Sequence, residues 1–194
     1  MKCFLFFLIL VVSFLACNTS NSENSYDDLT NQGWVYFSKH KYSRAIKEFN
    51  DAIEKSPERI DAYIGVCWSY MKTDCLNLSI QNFQIASTKS LVDADLFAGW
   101  AYALNAKKDY ANSSIKASDA LAIDTFWVFT KSNSLSLTHV DLHILKAENF
   151  FLLGFFQQSL NEVKIVNATF PIVSVNSDLE KSELAKEIQR LKSL

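Results

Sequence analysis

The sequence predicts an all-α solenoid of stacked helix pairs, and two observations favour this fold class. A motif that begins near Tyr26 returns twice at an interval of 34 residues. A period of that length is typical of helix pairs that bury their apolar faces only against a neighbouring pair. The 194-residue chain also has only four glycines and two prolines, which suits helices joined by short turns and disfavours a strand-rich fold.

The N-terminal segment predicts export from the cytoplasm. Residues 3–16 form an almost continuous apolar run after Lys2. The run is shorter than the ~20 residues of a membrane span and fits the apolar region of a signal peptide. Leu15-Ala16-Cys17 resembles the lipobox of bacterial lipoproteins, which implies removal of residues 1–16 and acylation of Cys17.

Two alternatives to the lipid anchor remain open from the residues alone: an uncleaved membrane anchor and a soluble secreted form. Residues 17–25 are polar after the cysteine and predict a flexible tether. Asn18 stands where inner-membrane lipoproteins commonly carry aspartate. The resemblance therefore implies an outer-membrane location facing the periplasm.

The repeats place large and small apolar residues at fixed positions in each predicted helix pair. In the second helices, Ala45, Phe49 and Ala52 correspond to Ser79, Phe83 and Ala86. Small residues let two helices approach closely while the phenylalanine fills the space beside them. We therefore expect Phe83 to be buried and Lys89 to lie on an exposed face. The predicted units are repeats at 26–59, 60–93 and 94–127, a loop at 128–139, a degenerate fourth repeat at 140–173 and a capping helix at 174–194.

The second-helix motif resembles the tetratricopeptide repeat. Ala45, Phe49, Ala52 and Pro57 match that repeat's signature in full, and the next two repeats match it with conservative changes. The resemblance implies a right-handed superhelix whose first helices line a concave groove. A fourth repeat fits after about twelve inserted residues, which we expect to form an exposed loop after the apolar cluster at 126–129.

A C-terminal amphipathic helix follows the fourth repeat. Ser177 and Glu180 have the spacing of a capping box, and Leu184, Ile188 and Leu191 share one helical face. In a solenoid such a helix covers the exposed end of the last repeat. Docking to a membrane or a partner is the alternative.

The resemblance also implies a set of groove residues. Trp34, Trp68 and Tyr102 occupy one position in successive first helices, and rigid aromatic side chains of this kind dominate binding energy at interfaces. The alternative is that these aromatics pack against neighbouring helices. The predicted partner-binding residues are Trp34, Phe37, Ile64, Trp68, Met71, Tyr102 and Asn105.

Other polar residues have simpler interpretations. Asp27, Asp61, Asp95 and Asp141 recur in the first turns of predicted helices, where a carboxylate favours the positive end of the helix dipole. His139 and His143 have the spacing of a metal pair but lack a third ligand. We expect them to be two exposed histidines at a helix start.

Composition narrows the function. The net charge of −2 lacks the basic excess of a nucleic-acid-binding protein, and no catalytic or phosphate-binding motif is present. Cys67 and Cys75 are predicted to be too far apart for a disulfide. The sequence therefore predicts a non-enzymatic adaptor, without metal or cofactor, that binds a protein or peptide at the cell envelope. The alternative is a periplasmic accessory lipoprotein that binds a small hydrophobic ligand for a transport system.

Overall fold

Consecutive helix pairs make up most of residues 24–194, the part of the chain that the computed structural model describes. The predicted signal peptide and Cys17 lie outside the described residues, as does most of the tether. Within residues 24–194 no helix has the length and apolarity needed to cross a membrane. The helices are α1 (Tyr26–Ser38), α2 (Tyr42–Lys55), α3 (Asp61–Lys72), α4 (Leu76–Ala86), α5 (Ala94–Ala106), α6 (Tyr110–Ile123), α7 (His139–Leu152), α8 (Phe156–Val166) and α9 (Asp178–Lys192).

The turn inside each helix pair has the same backbone conformation. One residue of each turn has a positive φ: 57° at His40, 59° at Asp74, 64° at Lys108 and 80° at Gly154. Their spacing is 34 residues twice and then twelve residues more. The fourth pair is therefore the same structural unit as the other three, preceded by an insertion.

The large and small residues of the repeat pack against each other. Phe49 is fully buried, and a Cβ on Gly33 or Gly65 would lie within 2.5 Å of its ring. Phe83 fills the equivalent place beside Gly99. Each phenylalanine therefore fits only because the facing helix carries glycine, which explains the alternation of large and small residues in the repeat.

Serine replaces the small alanine of the second helix in the later repeats without leaving its hydroxyl unpaired. Ser79 donates to the carbonyl of Cys67 at 3.0 Å, Ser113 to that of Ala101 at 2.8 Å, and Ser159 to that of Ala147 at 2.7 Å. The same bond in three repeats joins the second helix of a pair to the first. Buried hydroxyls of this kind are tolerated because each has a partner.

Helix α9 covers the end of the solenoid. Ser177 caps the helix, and hydrogen bonds from Ser174 and Ser177 lower the pKa of Glu180 to about 2. The side chains of Leu184, Ile188 and Leu191 are buried in a cluster of their own. The rest of this second cluster comes from α7, α8 and the segment before α9: Ile144, Ala147, Leu160, Val163 and Val175.

A polar cluster of His143, Lys146 and Glu162 lies between α7 and α8. His143 Nδ1 lies 2.6 Å from Glu162 Oε2, and Lys146 Nζ lies 2.7 Å from Glu162 Oε1. Burial opposes ionisation of Glu162, but the hydrogen bonds from His143 and Lys146 outweigh it, and the pKa of Glu162 lies below its ordinary value. The prediction of an exposed His143 is wrong because Glu162 gives the imidazole a partner inside the helix pair.

We expect Glu162→Gln to lower the free energy of unfolding by about 1–3 kcal/mol at pH 7, because two buried donors lose their ionised acceptor. Since folding depresses the pKa of Glu162, its contribution is complete above the ordinary value of 4.5 and is lost as the pH falls through the folded-state pKa. Denaturant titrations should therefore show wild type and variant converging in acid. Glu183→Gln, in an exposed pair with Lys186, is the matched control. A difference that widened in acid would contradict this role.

Candidate partner-binding groove and its internal occupant

The insertion before α7 folds back on itself as a short hairpin, residues 127–138, which we call the groove hairpin. Phe129 N donates to the carbonyl of Leu137 at 2.9 Å, and His139 N donates to that of Trp127 at 2.7 Å. Val128 and Thr138 form an antiparallel bridge. The insertion is therefore not the exposed loop that the sequence predicted, although Phe126 beside it is 75% exposed.

The groove hairpin lies on the face formed by the first helices of the pairs. The ring of Phe129 lies between two predicted groove residues, with centroid distances of 5.8 Å to Trp34 and 5.5 Å to Trp68. Trp127 packs beside it at 6.3 Å. Phe129 and Trp127 are both buried. Trp34 and Trp68, which the sequence predicted to be available to a partner, are therefore covered by aromatic residues of the same chain.

Polar contacts fix the groove hairpin at several points. Trp127 Nε1 donates to Asp95 Oδ1 at 2.7 Å. Lys131 Nζ lies 2.5 Å from Asp61 Oδ1 and 3.7 Å from Asp95 Oδ2. The hydroxyls of Ser132 and Ser38 are 2.9 Å apart at the tip. The hairpin is therefore held on α1, α3 and α5 by polar and charged side-chain contacts in addition to its apolar packing.

The packing of the groove hairpin shifts the pKa values of Asp95 and Lys131. Burial raises the pKa of Asp95, although Trp127 and Lys131 act in the opposite direction. Burial alone would lower the pKa of Lys131, but Asp61 and Asp95 raise it above its ordinary value. Lys131 therefore keeps its charge against the groove.

The prediction of an open groove is wrong for the residues that were to line it. Trp34 and Trp68 are only 8% and 3% exposed, and Phe37 and Ile64 are also buried. Met71, Tyr102 and Asn105 are partly buried. Packing within the repeats and the groove hairpin both contribute, since Trp34 lies 5.1 Å from Phe49 of α2 and Trp68 lies 5.8 Å from Tyr102 of α5, while Phe129 covers both indoles. Contact of these residues with a partner stays a prediction.

Asn105 has a structural role within the pairs. Its side-chain amide donates to Asn149 Oδ1 at 2.7 Å, and the amide of Asn149 donates to Ser113 Oγ at 2.8 Å. Asn149 is fully buried. This chain of hydrogen bonds links α5, α6 and α7.

The recurring aspartates do more than begin helices. Asp141 forms the capping box of α7 with Thr138, as expected for a helix start. Asp27 pairs with Arg59 at 2.7 Å. Asp61 and Asp95 instead bind the groove hairpin, so for these two the simple helix-start interpretation was incomplete.

One signal in the sequence indicates the hairpin. Along residues 127–131, Trp127 and Phe129 are buried and Lys131 is partly buried, whereas Val128 and Thr130 are exposed. Side chains two residues apart share one face of an extended strand. In the sequence itself, Trp127, Val128, Phe129 and Thr130 are all aromatic or β-branched residues, which favour an extended segment.

An open cavity of about 350 Å³ adjoins the tip of the groove hairpin. It is lined by Trp34, Val35, Ser38, Lys39, Lys131, Ser132 and Asn133. Elsewhere in residues 24–194, no three His, Cys, Asp or Glu side chains come together as a possible metal site. The thiol of Cys67 is buried, which raises its pKa, while Cys75 is exposed.

Solved structures with the same architecture are found in spite of low sequence identity. YrrB, described as a TPR protein with an unusual peptide-binding site, aligns with a TM-score of 0.67 at 13% identity over 89% of each chain. TTC0263, a thermophilic TPR protein of Thermus thermophilus, aligns at 0.61 and 12% over 90% of this chain and 84% of that one. MamA from Desulfovibrio magneticus RS-1 aligns at 0.61 and 12% over 75% of each chain. No family model and no curated protein matches the sequence.

Proposed function

Starting from the tetratricopeptide-repeat fold that these structures share with the chain, we propose that it is a non-enzymatic adaptor. It holds a protein partner through an extended segment of that partner and is tethered to the bacterial envelope through Cys17. The observation that carries the proposal is the groove hairpin. It demonstrates that the first-helix face accepts an extended segment with Phe129 between two tryptophans and Lys131 against two carboxylates.

The geometry favours a protein partner over a small hydrophobic ligand. A ligand-binding accessory protein would need a closed pocket beneath the apolar cluster at 126–129. The side chains of Trp127 and Phe129 fill that space, and Phe129 packs directly on Trp34 and Trp68. The peptide-binding site in the description of YrrB is a property of that protein, and it agrees with the kind of ligand proposed here.

A photoreactive residue at Val35, beside the hairpin tip, is expected to crosslink a partner protein in intact cells. Val35 is 42% exposed and lines the open cavity. Ile85, on α4 and 48% exposed, is the matched control on a different face. We expect a discrete heavier adduct from position 35 and none from position 85. No adduct at 35, or the same adduct at both, would contradict the proposal.

The envelope tether is tested at Cys17, which lies outside the described residues. Cys17→Ser should abolish acylation and leave uncleaved precursor, because the cysteine is both the cleavage mark and the lipid acceptor of the motif it resembles. Metabolic labelling with a fatty-acid analogue measures the first effect, and gel mobility measures the second. Labelling that persisted in the variant would refute the anchor. Fractionation of the two membranes then tests the proposed outer-membrane location.

A further inference from the structure

We infer that the groove hairpin is an internal stand-in for the partner, which displaces it and supplies the same chemistry. That chemistry is an extended segment with an aromatic residue followed two positions later by a lysine, as Phe129 is followed by Lys131. The inference rests on the proposed function, because it identifies the ligand class and the regulation of the same groove.

The groove recognises that chemistry through side chains that become accessible to another chain once the hairpin leaves. Trp34 and Trp68 form a slot for one aromatic ring. Asp61 and Asp95 accept one ammonium group, and the carboxylate of Asp93 adds to the field at Lys131. Three carboxylates around a single lysine make the site electronegative and select a basic segment over an acidic one.

The groove hairpin can leave without breaking the backbone hydrogen bonds of the solenoid. Its backbone bonds stay between residues 124 and 142, and in the described part of the chain none of them joins it to α1, α3 or α5. Its attachment is made by side chains: Trp127 and Phe129 belong to the main hydrophobic core, Leu135 and Leu137 pack against that core, and Lys131 and Ser132 make polar contacts. Helices α6 and α7, which flank the hairpin in sequence, also contact each other directly. Release of the hairpin therefore breaks side-chain contacts alone, and a partner must bury the apolar surface that Trp127 and Phe129 leave behind.

The probe for this competition is a labelled synthetic peptide with the sequence of residues 125–137. We expect it to bind wild-type full-length protein weakly, because the tethered hairpin competes at a high effective concentration. Lys131→Glu in the protein should release the hairpin by placing a fourth carboxylate beside Asp61, Asp95 and Asp93. The peptide should then bind about tenfold tighter or more. A peptide that itself carries Lys131→Glu should lose that binding.

A reversible disulfide that holds the groove hairpin in place, which we call the lock, tests the opposite case. The hydroxyls of Ser38 and Ser132 lie 2.9 Å apart, so Ser38→Cys with Ser132→Cys brings two thiols into contact, and we expect an oxidant to join them as a disulfide. A Cys75→Ser background removes the other exposed thiol of the described residues. The oxidised protein should not bind the peptide, and a reductant should restore binding. Ser38→Cys alone is the control and should not respond to oxidation.

Two outcomes would overturn the inference. The first is equal peptide binding by the locked, wild-type and Lys131→Glu proteins. The second is no binding by a Lys131→Glu protein whose thermal unfolding remains cooperative. If the Lys131→Glu protein does not fold, the comparison of peptide binding by the oxidised and the reduced double-cysteine protein decides the question alone. Should the Val35 crosslink in cells persist with the lock closed, the adaptor proposal would stand while the displacement mechanism would fall.

Discussion

Phe83→Ala is expected to lower the free energy of unfolding by about 3–5 kcal/mol, the usual cost of removing a buried aromatic ring. The ring of Phe83 is fully buried. It fills the space above Gly99, where a Cβ would lie 2.7 Å from its Cζ atom, and it stacks on Trp100 at 6.5 Å. Because glycine cannot grow to fill the vacated space, the cavity should persist. Denaturant titration of wild type and variant measures the loss.

The matched control for Phe83→Ala is Gln81→Ala on the same helix. Gln81 is exposed, and its replacement should change the free energy of unfolding by no more than about 0.5 kcal/mol. Lys89, predicted to be exposed, is unsuitable. Its side chain is only 14% exposed, pairs with Glu58 at 3.2 Å and lies over the ring of Tyr63. Equal stability of the Phe83 and Gln81 variants would mean that Phe83 is not the interior residue described here.

The helix pairs could be predicted from the sequence because repetition tests every position several times. Phe49 and Phe83 are related by one period, and so are His40, Asp74 and Lys108 at the turns. A residue that recurs at equivalent places in unrelated local sequences reflects the packing rule of the repeat. The same logic placed the fourth pair after a twelve-residue insertion, where Gly154 has the expected positive φ.

The state of the groove could not be predicted in the same way. The insertion occurs once, so Trp127, Phe129 and Lys131 have no equivalents in other repeats for comparison. Periodicity placed Trp34 and Trp68 on one face of the first helices. It carries no information about a segment that occupies that face from elsewhere in the chain. The run of aromatic and β-branched residues at 127–130 was the available signal, and four such residues weigh little against a helical background.

The polar partners were hidden for a related reason. Asp61 and Asp95 lie where helix dipoles favour a carboxylate, and that local cause was sufficient to explain them. Their contacts with Lys131 span 70 and 36 positions in sequence. His143 and Glu162 lie on different helices, on either side of the turn between α7 and α8. One carboxylate can both stabilise the start of its own helix and bind a residue that is distant in sequence. The sequence alone indicates only the first of these roles.

Trp68→Ala is expected to lower the free energy of unfolding by about 3–5 kcal/mol and to loosen the groove hairpin as well. Trp68 packs against Phe129 at 5.5 Å and against Tyr102 at 5.8 Å, and its indole is almost completely buried. Its removal takes away one wall of the slot that holds Phe129. Chemical denaturation reports the first effect. Tryptic cleavage after Lys131 under native conditions reports the second.

Phe126→Ala is the control for Trp68→Ala, because Phe126 is an exposed aromatic next to the hairpin and should contribute no more than about 0.5 kcal/mol. If Trp68→Ala changed neither the free energy of unfolding nor the rate of tryptic cleavage, the indole would face an open groove, as the sequence predicts. If stability falls and cleavage rises together, loss of partner capture in this variant has two causes at once: a weaker fold and a missing contact. Only the disulfide between positions 38 and 132 separates them, because it closes the groove while leaving Trp68 and the core intact.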